Sequence, residues 1–83
     1  MKFIVFSKKT CPFCIKAREI LESLDLEHYI VNFEKDQFSV LEEIKTAHDW
    51  KTVPMVFLKN DSLVEFIGGY TDLLERLEVG KED

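Results

Sequence analysis

The sequence predicts a small α/β domain of element order βαβαββα, with a four-stranded mixed sheet flanked by three helices. Three observations lead there. A short apolar run passes directly into an amphipathic helical segment, a second strand–helix pair follows, and an apolar hairpin then leads into a last helix. The opening strand, helix and strand imply a right-handed βαβ unit with parallel strands.

Each element has a local reason. Phe3 to Phe6 is a continuous run of β-formers and reads as a strand buried on both faces. Ser7 to Thr10 make a loop. A helix from about Pro12 to Leu24 follows, with Pro12 at the first helical position, where a missing N–H costs nothing. Cys14, Ala17, Leu21 and Leu24 recur at helical spacing and form its apolar stripe, while Lys16, Arg18, Glu19 and Glu22 face water. His28 to Phe33 reads as the second strand. About Asp36 to His48 forms the second helix, with Phe38, Leu41, Ile44 and His48 on one side. Pro54 to Leu58 is the third strand, Lys59 to Asp61 a turn, and Leu63 to Ile67 the fourth strand. Gly68-Gly69 end that strand, and Thr71 is expected to cap a helix running to about Val79.

The chain has 83 residues, which fits one domain over 1–83, with 79–83 as a frayed tail. Seven Phe, two Tyr and one Trp among 46% hydrophobic residues supply a core without staples. The net charge of −5 argues against nucleic acid or an anionic membrane as partner. The apolar run at the N-terminus is too short for a signal-peptide core, and no segment is long enough to span a bilayer as a helix. A cytoplasmic location is the resulting expectation, where paired cysteines are more often catalytic or metal-binding than structural. With no long apolar surface stripe left over, a monomer is expected.

The only two cysteines, Cys11 and Cys14, bracket the start of the first helix. A bond between residues so close closes too small a loop to stabilise much. A structural zinc site needs four ligands, and His28 and His48 are far from the usual short spacing. Redox chemistry remains. Cys11 sits where a strand of a parallel pair ends and a helix begins, an edge where ligands bind in open α/β sheets. The helix N-terminus and the neighbouring Lys8 and Lys9 favour thiolate, so the Cys11 pKa is expected below the free value of about 8.5. Such a thiol attacks only somewhat faster but leaves much faster, so Cys11 reads as an exchange centre. Cys14, one turn on and on the apolar stripe, reads as the buried resolving thiol within reach of a disulfide.

These residues resemble a glutaredoxin. "TCPFC" (Thr10 to Cys14) is similar to a dithiol active site. "TVP" (Thr52 to Pro54) is similar to the loop facing it, and "GGYTD" (Gly68 to Asp72) to a glutathione-binding turn. The likeness runs from about Lys2 to Val79. It implies a thioredoxin-like fold, a cis Val53-Pro54 bond, and glutathione-dependent thiol–disulfide exchange through Cys11 and Cys14. It further implies glutathione contacts from Lys8, Phe13, Thr52, Val53, Pro54, Gly69, Tyr70, Thr71 and Asp72. Val53 would pair with the glutathione cysteine like one rung of a sheet. The start of the last helix would take the γ-glutamyl carboxylate, and Asp72 its ammonium. Lys8 would reach the glycyl carboxylate, with Gln37 and Lys51 as weaker candidates. Phe13 stands where Tyr is more common and Met55 where Gln is common, so a polar contact is lost at each. The resemblance implies glutathione as co-substrate, no metal and no tightly bound cofactor. Its implied partners are disulfide-containing or glutathionylated proteins, ribonucleotide reductase among them. Rival readings are a small redoxin recharged by thioredoxin reductase and a glutathione-ligated iron–sulfur carrier. Pro12 disfavours the carrier by stiffening the loop.

Overall fold

The computed structural model describes residues 1–78. The helix end expected near Val79 and the tail 79–83 lie outside the described residues. Strand β1 (Lys2–Ser7) runs parallel to β2 (His28–Asn32) and antiparallel to β3 (Met55–Asn60). Strand β4 (Leu63–Gly68) pairs antiparallel with β3 and completes the order β2-β1-β3-β4. The helices are α1 (Pro12–Ser23), α2 (Phe38–Ala47) and α3 (Tyr70–Leu77), with a single 3₁₀ turn, Lys35–Gln37, leading into α2.

The alternation of side chains along β1 sorts the core into two layers. Phe3 and Val5 meet Ala17 and Leu21 of α1 and Leu73 of α3 on one face. Ile4 and Phe6 pack toward Leu41 and Ile44 of α2 on the other. Cover on both faces is why β1 reads as an unbroken apolar run. The ring of His48 finishes the second layer, 5.3 Å from the Phe57 ring and 5.0 Å from that of Phe66. Leu21, Leu41 and Leu73 are fully buried, and truncating any of them to alanine costs about 2–5 kcal/mol.

Two local expectations are corrected. The hairpin turn is Asp61-Ser62, not Lys59 to Asp61, because Lys59 still pairs with Lys2 of β1 and Asn60 with Leu63 of β4. Asp61 adopts φ 56°, a left-handed conformation that Asp tolerates. Leu24, expected on the buried stripe of α1, is 44% exposed. The helix ends at Ser23, so Leu24 is its C-cap and the chain turns away through Asp25 at φ 55°.

Candidate active site

Cys11 is the N-cap of α1. Its extended backbone (φ −89°, ψ 113°) lets the chain arrive from β1, and Pro12 then begins the helix. The Cys11 Sγ accepts the Cys14 backbone N–H at 3.2 Å, satisfying one of the orphan donors at the helix start. On its other side the same thiol donates to the Val53 carbonyl at 3.6 Å. Cys14 is 5% exposed, and both cysteines are free thiols. Burial pushes the Cys14 thiol up to about 12, and its hydrogen bond with the Cys11 side chain works in the same direction. The two sulfurs differ in place: Cys11 stands at the N-terminus of α1, and Cys14 is buried in the core, where burial favours its protonated form.

Beside Cys11 lies a groove of about 290 Å³. Phe13, Thr52, Val53, Pro54, Gly69, Tyr70, Thr71 and Asp72 line it. The Val53-Pro54 bond is cis. Phe13 is 53% exposed, and its ring stands 5.8 Å from that of Tyr70 across the mouth.

The far end is built by a glycine pair. Gly68 has φ +128°, and a Cβ there would meet the Asp72 Oδ2 at 2.4 Å. Only glycine permits this approach. It brings the Asp72 carboxylate to the Gly69 N–H, which donates to Oδ2 at 2.9 Å. Gly69, not Thr71, is therefore the N-cap of α3. Thr71 falls inside the first turn because the cap comes from the Asp72 side chain reaching back, half of a capping box. One Asp72 oxygen is thus committed to the fold.

The glutaredoxin family model matches residues 3–64 of this chain. The chain belongs to the glutaredoxin family. It is 34% identical to glutaredoxin-1 of Oryctolagus cuniculus over 85 residues, covering 96% of this chain and 76% of that protein. The crystal structure of wheat glutaredoxin matches with TM-score 0.79 at 27% identity, covering 95% of this chain and 74% of the wheat chain. A buckwheat glutaredoxin–glutathione complex shares the fold, with TM-score 0.78 at 23% identity over 92% of this chain and 67% of that one. The thioredoxin-like fold and the oxidoreductase class are established on these grounds, and Cys11 and Cys14 form the CxxC pair.

In this glutaredoxin, eight of the nine residues expected to contact glutathione line the one groove, and Lys8 does not. The Lys8 Nζ rests 4.4 Å from the centroid of the Phe38 ring instead, a cation–π contact. Gln37 accepts the Glu34 N–H through its Oε1 at 3.0 Å, Lys51 is exposed, and Met55 is fully buried. The sequence reading overlooked Trp50, which completes the groove wall. Its indole packs edge-on against Phe66 at 5.2 Å. The Trp50 Nε1 is buried with no hydrogen-bond partner among the described residues. The available signal was the chain's one Trp standing just before "KTVP".

Proposed function

We propose that this glutaredoxin transfers electrons from glutathione to glutathionyl mixed disulfides and protein disulfides. The observation that supports this best is the groove itself. It starts beside the Cys11 sulfur, runs along Val53 and cis-Pro54, and ends at Asp72 and the start of α3. An extended thiol tripeptide suits such a path. Its cysteine lies along the Val53 backbone, and its γ-glutamyl carboxylate meets the helix N–H groups. Its ammonium meets the free oxygen of Asp72. A basic side chain at the glycyl end is supplied when Lys8 turns from Phe38.

In the proposed cycle, the Cys11 thiolate attacks the glutathionyl sulfur of a mixed disulfide. The S–S bond breaks, the target leaves as a thiolate that takes a proton, and Cys11 carries the glutathione. A second glutathione thiolate attacks that glutathionyl sulfur. It releases glutathione disulfide and restores Cys11. With a protein disulfide, the Cys14 sulfur displaces the target from Cys11 and passes its proton to the departing thiolate. The resulting Cys11–Cys14 disulfide is then reduced by two glutathiones. Ribonucleotide reductase is one proposed protein acceptor, and a reducing compartment such as the cytoplasm is the proposed setting.

The test is turnover of a small glutathionyl mixed disulfide with glutathione and glutathione reductase, run beside an arm with thioredoxin reductase. Turnover in the first arm is expected. Turnover confined to the second would overturn the proposal in favour of a thioredoxin-like redoxin. Ribonucleotide reductase turnover with this protein and glutathione tests that acceptor separately.

A further inference from the structure

A second cavity, at the end of β1, is lined in part by Cys14. It has a volume of about 140 Å³ and shares no lining residue with the groove. Its place in the fold is informative. β1 and β2 are parallel neighbours. After β1 the chain crosses to α1, on the face of Ala17 and Leu21. After β2 it crosses to α2, on the opposite face with Leu41. The crevice between their carboxyl ends is therefore a topological switch point, the position where open α/β sheets bind ligands. The strand-end residues Ser7 and Asn32 face each other there, and both line the cavity.

The chemistry of the lining is one-sided. Lys8, Lys9 and Arg18 line it, and no acidic side chain does among the described residues, although the chain as a whole has net charge −5. Ser7 is 1% exposed. Its hydroxyl donates to the Asn32 Oδ1, so the Asn32 amide N–H groups are left to donate elsewhere. Lys8 rests over the Phe38 ring, and the other two cations are held only loosely. Lys9 meets Glu34 at 3.9 Å and Arg18 meets Glu22 at 4.0 Å, all four side chains being largely exposed. Ion pairs of that kind are worth little, so both cations are free to turn inward.

We propose that this cavity binds a small oxyanion of the phosphate class, held by Lys9, Arg18 and the Asn32 amide beside Cys14. The inference concerns binding alone and does not depend on the exchange cycle. A seated anion would lie next to the Cys14 thiol.

The experiment is an NMR titration of the reduced, ¹⁵N-labelled full chain with inorganic phosphate at pH 7. Ionic strength is held constant with sodium chloride, and sodium acetate serves as the control. Saturable shifts are expected at Ser7, Lys9, the Arg18 Nε and the Asn32 side-chain amide. Removing one charge-assisted contact by Arg18→Ala or Lys9→Ala should weaken phosphate by about ten- to a hundredfold. Shifts that stay linear with concentration, that appear equally with acetate, or that survive both substitutions would overturn the site. Glutathione added to the same sample reports on the amides of Thr52, Val53 and Gly69 to Asp72, so failure of the groove reading is seen separately.

Discussion

The sulfur of Cys11 caps the helix that carries Cys14: its Sγ takes the Cys14 N–H at 3.2 Å. The proposed nucleophile and the proposed resolving thiol are thereby joined through the backbone. Structure and reactivity at Cys11 can be separated by choice of substitution. Serine is itself a good N-cap, so Cys11→Ser should unfold near the wild-type Tm while losing all exchange. Cys11→Ala should lose exchange and also about 0.5–2 kcal/mol of stability. Thermal melts beside the coupled assay check this, and equal stability of Cys11→Ala and wild type would show that the sulfur cap contributes nothing.

Cys14→Ser should keep deglutathionylation and lose protein-disulfide reduction. In the proposed cycle only the second reaction needs the buried thiol. Parallel assays on a glutathionyl substrate and a protein disulfide decide it, and equal loss in both would contradict the division of roles.

The buried state of Cys14 also sets a pH dependence. Its thiol ionises at about 12 in the folded protein, raised from an ordinary 9.0 by burial first. Between those values the unfolded chain releases a proton that the folded chain keeps. Stability therefore falls as pH rises through that window, with a slope approaching ~1.4 kcal/mol per unit. Below it, Cys14 adds no pH dependence. Urea melts from pH 8 to 11 should show this slope in wild type and its absence in Cys14→Ser. At pH 8, iodoacetamide should modify Cys11 alone until denaturant is added.

Gly68→Ala is the severe substitution outside the cysteines. The new Cβ meets Asp72 Oδ2 at 2.4 Å in a backbone of φ +128°. Relief requires both a backbone change and loss of the Gly69 cap. A destabilisation of roughly 2–4 kcal/mol is expected, together with a raised KM for glutathionyl substrate. A Tm within a degree of wild type would show that α3 does not need this approach.

Trp50 separates wall from donor. Trp50→Phe keeps most of the apolar packing and removes a buried N–H that has no partner among the described residues. Its stability should stay within about 1 kcal/mol of wild type. Trp50→Ala opens the groove wall and should cost roughly 3 kcal/mol, with a raised KM. Denaturant melts and steady-state kinetics on both variants check this.

Much of this was legible in the chain because the relevant physics is local. Pro12 after Cys11 marks a helix start, and the apolar runs at Phe3 and Met55 mark buried strands. Errors fell where long-range pairing or a reaching side chain decided the outcome. Lys59 looked like a turn residue until β1 extended β3 through Lys2. Thr71 looked like a cap until the Asp72 carboxylate took that place. The contact of Lys8 with the Phe38 ring likewise joins residues thirty positions apart in the chain.

The sequence alone determined the order of elements, the identity of the two thiols and the difference in their surroundings. Those follow from periodicity and from residues that are neighbours along the chain. Only the tertiary structure decided that Phe13, Trp50, Val53 and Asp72 share one groove, and that Ser7 and Asn32 end side by side above a second cavity. Distances between such segments are set by how the two core layers pack around β1, and that packing is cooperative. No short stretch of sequence contains it.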